Sequence, residues 1–195
     1  MVMTDLRFGV IGWGYWGPKI ARNLETLPHS MVTMVADSDA RRLASLAVNQ
    51  YQSWVSKVTR AEEIFRSDVD GVVIATPVKT HYQLAKEALL YGKHVLVEKP
   101  LTANVAEAEE LVALAEKQQR ILMVGHTFEY NPAVNELRKL VQSGDLGKIY
   151  CIEAERVNLG LFRSDINVIW DLAPHDVSIL LYLLGQKPQQ IKVQA

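Results

Sequence analysis

LRFGVIGWGYWG, residues 6–17, is the stretch that decides the fold of this chain. Its apolar first half predicts a β-strand over 6–12, and the helical spacing of the apolar residues that follow predicts a helix over 18–27. Pro18 stands in the first turn of that helix, where the missing N–H of proline costs nothing. A strand, a glycine-rich turn and a helix in this order are typical of the first unit of a nucleotide-binding parallel sheet.

The turn between strand and helix has the pattern Gly-x-Gly-x-x-Gly. Gly12 permits the tight turn, Gly14 lets the backbone approach a pyrophosphate, and Gly17 allows the helix to pack closely on the strand. The free N–H groups at the helix start attract phosphates, and Tyr15 and Trp16 are counted with the cofactor-binding turn. The pattern alone is a weak signal, because such turns also occur for purely steric reasons. Trp13 and Trp16 flank the turn, and packing beside it is favoured for both over binding of base or sugar.

An acidic residue ends the second predicted strand. Asp37 follows the apolar run 31–36, 20 residues after the last glycine of the turn. A carboxylate there accepts hydrogen bonds from the adenosine ribose and repels the 2′-phosphate of NADP, so NAD(H) is the predicted cofactor. The alternative is that Asp37 caps the next helix, a role that Ser38 or Asp39 would fill equally well.

Short apolar runs alternate with helical patterns through the first two thirds of the chain. The further predicted strands are 71–75, 94–97 and 121–125, and the further predicted helices are 40–48, 61–65, 80–91 and 105–117. Such short apolar strands are typical of a parallel sheet covered on both faces. The alternation predicts right-handed βαβ units and an α/β fold, a doubly wound Rossmann sheet that forms a dinucleotide-binding domain over 1–126.

The pattern changes after residue 126. Helices are predicted over 131–143 and 175–184, and alternating polar and apolar residues predict antiparallel strands over 148–157 and 190–194. We therefore predict that 127–195 is the N-terminal part of an α+β domain for substrate and oligomerisation. Two strands rarely bury enough surface to stand alone, so we expect this domain to be incomplete.

Composition excludes several classes of protein. The formal charge of −1 leaves no electrostatic footprint for nucleic acid or an anionic membrane. No apolar run reaches the length of a membrane span, and no secretory signal pattern opens the chain. One cysteine, Cys151, cannot form an internal disulfide and fits a reducing compartment. These features predict a cytoplasmic protein with a small-molecule substrate, and no metal site is predicted.

Two short motifs carry candidate chemistry. Pro100 forces Lys99 into an extended conformation after a predicted strand, which fixes the direction of its ammonium group, although a plain strand-end lysine is the alternative. Asp171 and His175 are four residues apart, so a helical backbone would place both on one face, where a carboxylate supports imidazole as a general base. The alternative is that Asp171 caps the apolar helix, which Pro174 as an early helical residue would favour.

Four features together resemble the Gfo/Idh/MocA family of oxidoreductases. They are the glycine turn, Ala75-Thr76-Pro77 followed by His81, Glu98-Lys99-Pro100, and Asp171-x-x-x-His175-Asp176. Their order and spacing match along nearly the whole chain, and the last two are far more specific than the glycine turn. The segments 125–134 and 158–176 look most like family members that act on nucleotide-linked sugars.

The resemblance implies a role for each candidate residue. Lys99 hydrogen-bonds the reacting hydroxyl, His175 removes its proton and Asp171 supports the site, while hydride passes from a secondary alcohol to NAD. The residues implied to line the cofactor are Thr76, Pro77, His81, Glu98 and Lys99. Asn131 is implied to lie near the substrate, and capping the helix that begins at Pro132 is an equal alternative.

The length of the chain departs from the family. Members are nearly twice as long, with a large open antiparallel sheet in the second domain that shapes the substrate pocket and often the oligomer interface. The chain is therefore expected to hold the cofactor half, and a fragment, an early-terminated gene and one piece of a longer protein are the alternatives that explain its length. The resemblance implies a homo-oligomer. The alternative function is an NAD(H)-binding module without turnover that acts as a sensor or partner subunit. An NADP-dependent reductase, to which Arg41 and Arg42 leave some room, is disfavoured by Asp37.

Overall fold

A computed structural model of the chain describes residues 5–44, 46, 54–156 and 166–192. The chain divides into two compact units, Met1–Gly125 and His126–Ala195. The boundary between them lies one residue before the predicted one. Within the described ranges, no helix combines the length and the hydrophobicity that crossing a membrane requires.

The first unit is built on a parallel sheet with the strand order β3-β2-β1-β4-β5-β6. Its strands are β1 (Leu6–Ile11), β2 (Ser30–Ala36), β3 (Ser56–Val58), β4 (Gly71–Ile74), β5 (His94–Val97) and β6 (Leu122–Val124). Chain order reverses between β1 and β4, which are neighbours, and at such a switch point the strand ends leave a crevice for a ligand. The predicted doubly wound α/β fold is confirmed.

Helices connect these strands in the predicted order. They are α1 (Gly17–Glu25), α2 (Ala40–Ala44), α3 (Ala61–Phe65), α4 (His81–Leu90) and α5 (Val105–Gln118), with a 3-10 turn at Val78–Thr80 before α4. Two buried apolar clusters lie in this unit, one around Phe65, Leu89 and Leu111, the other around Val10 and Leu46. The sheet is therefore covered on both faces, which explains why all four residues of β4 are buried.

The structure refines several predicted boundaries. Asn104 caps α5: its side chain accepts the Glu107 N–H at 2.9 Å. Gly92 follows α4 with a φ of 73°, a left-handed conformation that commonly ends a helix. The short strand β3 was not predicted. The predicted helix 40–48 is formed over Ala40–Ala44, and much of its remainder lies outside the described residues.

The second unit contains α6 (Pro132–Ser143) and α7 (Val168–Leu184), after a 3-10 turn at Thr127–Tyr130. Helix α7 begins seven residues before the predicted start at 175, because Asn167 caps it by accepting the Trp170 N–H at 3.0 Å. The prediction that Asp171 caps this helix is therefore wrong. Pro174 lies inside the helix and not in its first turn, so the favourable early position inferred for it is wrong as well.

The antiparallel strands predicted for this unit are not formed in the described residues. Residues 148–156 and 190–192 have no strand hydrogen-bonding pattern, and the remaining predicted strand positions lie outside the described ranges. Tyr150 is 85% exposed and Ile152 40% exposed. Alternation alone cannot make a strand, because each strand needs a neighbour to pair its backbone N–H and C=O groups.

Candidate functional site

The glycine turn after β1 meets three different steric demands. Gly12 has a φ of 97°, and a Cβ atom there would lie 2.6 Å from the Ala75 carbonyl oxygen, so the turn crosses the end of β4 with no room for a side chain. A Cβ atom on Gly17 would lie 2.0 Å from the Gly12 oxygen. Beside Gly14, by contrast, the only neighbour among the described residues within 4 Å of such an atom is the Arg42 guanidinium, at 3.8 Å. The backbone is therefore open at Gly14, where a pyrophosphate would approach.

The start of α1 is suited to an anion. Trp16 is the N-cap residue, its side chain makes no capping hydrogen bond, and the first turn holds no acidic residue. Pro18 lies in that first turn, as predicted. Helix N-termini attract phosphate through their free N–H groups and the helix dipole. Together with the open face of Gly14, these residues fit the pyrophosphate of NAD.

Two aromatic side chains at this turn contact the ammonium group of a lysine. The rings of Tyr15 and Trp16 meet edge to face with 5.1 Å between centroids. The Lys19 ammonium lies 3.3 Å from the Tyr15 ring centroid and 4.8 Å from that of Trp16. Cation–π contacts of this kind hold an ammonium group in place. Trp13 differs from both, because it is only 3% exposed and belongs to the apolar core.

Asp37 reaches from the end of β2 into the glycine turn. Its Oδ2 accepts the Trp13 N–H at 2.7 Å, its Oδ1 accepts the Asp39 N–H at 2.8 Å, and the residue is 6% exposed. Each carboxylate oxygen has two lone pairs, so acceptor capacity remains for ribose hydroxyls. The carboxylate therefore shapes the turn in addition to its predicted role.

The capping role considered for Asp37 falls to its neighbour. Asp39, directly before α2, accepts a hydrogen bond from the Arg41 N–H at 3.0 Å and forms a bidentate salt bridge with the Arg41 side chain. That pairing lowers the pKa of Asp39 to about 2. Arg42 faces the other way: its Nη1 lies 3.5 Å from Asp37 Oδ2. The two arginines therefore differ, and Arg42 is the one beside the glycine turn.

The loops after β4 and β5 supply the next set of predicted residues. Thr76 and Pro77 follow β4, and the Thr76 methyl group would lie 2.9 Å from a Cβ atom on Gly12, so this loop borders the glycine turn. His81 lies 1% exposed at the start of α4. Its Nε2 lies 2.8 Å from the Thr76 oxygen, and its Nδ1 lies 2.9 Å from the Pro100 oxygen. His81 is thus engaged with backbone from both loops.

Glu98 and Lys99 follow β5, and the Lys99–Pro100 peptide bond is cis. Both side chains are half-buried. Burial raises the pKa of Glu98, an effect that the backbone N–H and the charge of Lys99 oppose. The Glu98 carboxyl lies 3.4 Å from the position of a Cβ atom on Gly125, after β6. The ends of β4, β5 and β6 thus bring Thr76, Glu98 and Lys99 to one edge of the sheet.

In the second unit, Asp171 and His175 lie one turn apart on α7, and both are half-buried. The helical backbone that would place them on one face is therefore present. The His175 ring meets Phe128 edge to face, with 4.8 Å between centroids. An aromatic contact of this kind restrains the rotation of the imidazole.

A second group of residues fixes the same part of α7. Arg156 donates Nε and Nη2 hydrogen bonds to the Asp176 carboxylate at 2.7–3.1 Å, and its guanidinium lies 4.9 Å from the Phe128 ring centroid. This pairing lowers the pKa of Asp176, with a smaller contribution from His175. Residue 156 is thus tied to the helix residue that follows His175. Phe128, Arg156 and Lys19 were not predicted, because nothing in their spacing marks them as site residues.

Asn131 is the N-cap of α6. Its side chain accepts the Ala133 N–H at 2.8 Å, and Pro132 occupies the first helical turn. The capping role is therefore present, and the substrate role stays a prediction. Across the described residues, no group of three or more potential ligand side chains could hold a metal ion.

Comparisons with known proteins agree with this geometry. The family model described as "Oxidoreductase family, NAD-binding Rossmann fold" matches residues 6–126. UDP-N-acetylglucosamine 3-dehydrogenase of Acidithiobacillus ferrooxidans is 34% identical over 97% of the chain, and inositol 2-dehydrogenase of Corynebacterium glutamicum is 30% identical over 97%. The chain spans 58% and 57% of their respective lengths. The crystal structure of GenD2 from gentamicin A biosynthesis in complex with NAD matches with a TM-score of 0.82 and 26% identity, covering 95% of this chain and 55% of that one.

Proposed function

The chain belongs to the Gfo/Idh/MocA family of NAD-binding oxidoreductases, and we propose that it serves an NAD-dependent dehydrogenase that oxidises a secondary hydroxyl of a nucleotide-linked sugar. The observation that carries the proposal is the Asp171–His175 pair on α7, with the imidazole held against Phe128. A carboxylate one turn from an imidazole raises its basicity, as a general base requires. The similarity to UDP-N-acetylglucosamine 3-dehydrogenase supports the choice of substrate class.

The residues divide the work as follows. NAD, when bound, supplies the acceptor for the hydride. Lys99 donates a hydrogen bond to the oxygen of the reacting hydroxyl, and His175 takes its proton. Asp171 supports the protonated imidazole, and the Arg156–Asp176 pair keeps the backbone of α7 in place next to His175. Orientation of a base in this way contributes to catalysis because the proton must be within hydrogen-bonding reach.

The cofactor contacts follow from the first unit. We expect the pyrophosphate to bind at Gly14 and the start of α1, with Lys19 adding positive charge. Asp37 accepts a hydrogen bond from a ribose hydroxyl, and its negative charge disfavours a 2′-phosphate. Arg42 moderates that preference, since its guanidinium lies 3.5 Å from the same carboxylate.

The proposal is tested by NADH formation with UDP-N-acetylhexosamines, measured on the chain within its full-length protein. We expect NAD reduction that is lost in His175→Ala and retained in His94→Ala, the same substitution at a histidine of β5 outside the proposed site. Calorimetry with NAD on the same proteins gives binding independently of turnover. NAD binding without reduction of NAD by any of these sugars would contradict the proposal and favour a binding module without turnover.

A further inference from the structure

His81 has two hydrogen-bond partners of the same kind. Both ring nitrogens lie within hydrogen-bonding distance of a backbone carbonyl oxygen: Nδ1 at 2.9 Å from Pro100, and Nε2 at 2.8 Å from Thr76. The side chain is 1% exposed, so water does not take the place of either partner. A carbonyl oxygen can only accept a hydrogen bond. Both ring nitrogens must therefore donate if both contacts are hydrogen bonds.

Neutral imidazole cannot meet this requirement. Each neutral tautomer carries one N–H and one lone pair, so one of the two contacts would set a nitrogen lone pair against an oxygen lone pair at less than 3 Å. Such an arrangement leaves a buried acceptor unsatisfied, which costs free energy. The doubly protonated imidazolium satisfies both carbonyls, and hydrogen bonds from an ionised donor are the stronger kind.

We propose that His81 is a buried imidazolium that acts as a positioning residue, clamping the loop after β4 to the loop that carries Lys99. Thr76 follows β4 and Pro100 follows β5, and these two strands are paired through Ile74 and Val97. The clamp therefore joins the two loops just beyond the last strand pair, where the sheet no longer holds them together. The charged residues on the two loop segments are Lys79, Glu98 and Lys99.

The proposal changes the role given to His81. The residue was predicted to line the cofactor, whereas its ring nitrogens point to protein carbonyls on either side. Its effect on the reaction then passes through Lys99, the neighbour of Pro100, and to this extent the inference rests on the proposed function. The protonation of the ring does not depend on that function, so the two can fail separately.

His94 offers a built-in control. Its Nδ1 lies 3.0 Å from the Ile121 backbone N–H, which can only donate, so that nitrogen must carry a lone pair. The same protein thus contains one ring expected to be doubly protonated and one expected to lack a proton on Nδ1.

The protonation is read from ¹⁵N spectra of histidine-labelled protein at neutral pH, with His81→Asn and His94→Asn to assign the signals. We expect two protonated nitrogens for His81 and an unprotonated Nδ1 for His94. A single protonated nitrogen at His81 would overturn the proposal, whether or not the protein turns over a sugar. Should His81→Asn fail to fold, the His81 signals of the wild type are assigned by elimination, with four variants that each replace one of the other four histidines.

The positioning role is read from kinetics of the full-length protein. Misplacement of a catalytic group by about 1 Å can cost about a hundredfold in rate, so we expect His81→Asn to lower kcat by about tenfold to a hundredfold. The Kd for NAD should stay close to that of the wild type, and His94→Asn should change neither. An unchanged kcat in folded His81→Asn would overturn the clamp. A wild type that binds NAD without turnover would refute the proposed function while leaving the spectroscopic result to decide the protonation.

Discussion

Replacing Gly14 by alanine and Gly17 by alanine should separate cofactor binding from folding within one turn. At Gly14 the new Cβ atom would meet, in the part of the chain that the structure describes, only the end of the flexible Arg42 side chain, at 3.8 Å, and φ there lies outside the left-handed region. Alanine should fit without strain. At Gly17 the same atom would lie 2.0 Å from the Gly12 carbonyl oxygen, a backbone atom that cannot rotate away.

The two substitutions should affect different quantities: Gly14→Ala mainly the affinity for NAD, and Gly17→Ala mainly the free energy of unfolding. For Gly14→Ala we expect unfolding free energy to rise by about 0.4–1 kcal/mol, because alanine restricts the unfolded chain. The methyl group occupies the face that a pyrophosphate needs. Loss of one hydrogen bond to a charged group costs about 1.5–3 kcal/mol, which weakens NAD binding by about tenfold to a hundredfold. For Gly17→Ala the backbone must shift by about 1 Å, and we expect a loss of stability of about 3 kcal/mol, the upper range of overpacking.

The assay is urea unfolding together with calorimetric titration of NAD for the wild type and both variants. Gly14→Ala should unfold at slightly higher urea than the wild type and bind NAD weakly, whereas Gly17→Ala should unfold at lower urea. Wild-type affinity in Gly14→Ala would refute the assignment of the open face to the pyrophosphate. A stability loss in Gly14→Ala as large as in Gly17→Ala would refute the steric argument itself.

Substitutions at three further residues test the rest of the site. Asn131→Ala should lower stability by about 1 kcal/mol through loss of the helix cap. Asn131→Ser keeps a capping oxygen, so a raised KM in a stable Asn131→Ser variant would reveal a substrate role for Asn131. Unchanged kinetics in that variant would refute the substrate role. Arg156→Met should lower the unfolding free energy by about 2 kcal/mol at neutral pH, and Arg156→Lys by less, because lysine lacks the two-pronged geometry. The pKa of Asp176 is lowered in the folded protein, so its pair with Arg156 stabilises the wild type above the usual Asp pKa and loses this effect as pH falls through the lowered value. In acid unfolding curves, the stabilities of the wild type and Arg156→Met should therefore converge. Burial raises the pKa of Glu98, so the folded carboxyl binds its proton more tightly and stability falls as pH rises from 4.5 through the raised value. Chemical unfolding of Glu98→Gln should therefore give a higher stability than that of the wild type at neutral pH, and the difference should shrink towards pH 4.5. An equal difference in stability at both pH values would contradict this reasoning.

Much of the first unit could be predicted because its signals are local. The strand 94–97 and the helix 61–65 have the bounds expected from their apolar runs and spacing. Strand β3 was missed, because its three residues, Ser-Lys-Val, have no apolar run and are held only by pairing with β2. Pairing partners are distant in sequence, which is also why the alternation over 148–157 could not tell whether a neighbouring strand exists.

The candidate site divides in the same way. Gly12, Gly17 and Asp37 could be identified because the turn imposes its residue types through sterics and charge. The start of α7 could not, because both Asn167 and Asp171 are good caps and only the hydrogen bond to Trp170 distinguishes them. The roles of Lys99, Asp171 and His175, the substrate role of the second unit, the cytoplasmic location and the homo-oligomer stay predictions.

Because the Trp13 N–H donates a hydrogen bond to Asp37, we expect binding at the ribose end and at the phosphate end of the proposed cofactor site to be thermodynamically linked. A ribose that engages this carboxylate also changes the acceptor on which the phosphate turn depends, so AMP and inorganic pyrophosphate should not bind independently. Linkage is reciprocal: whatever factor AMP imposes on pyrophosphate affinity, pyrophosphate imposes on AMP. An Asp37 variant therefore reports on the cooperativity between two fragments of NAD as well as on one lost ribose contact.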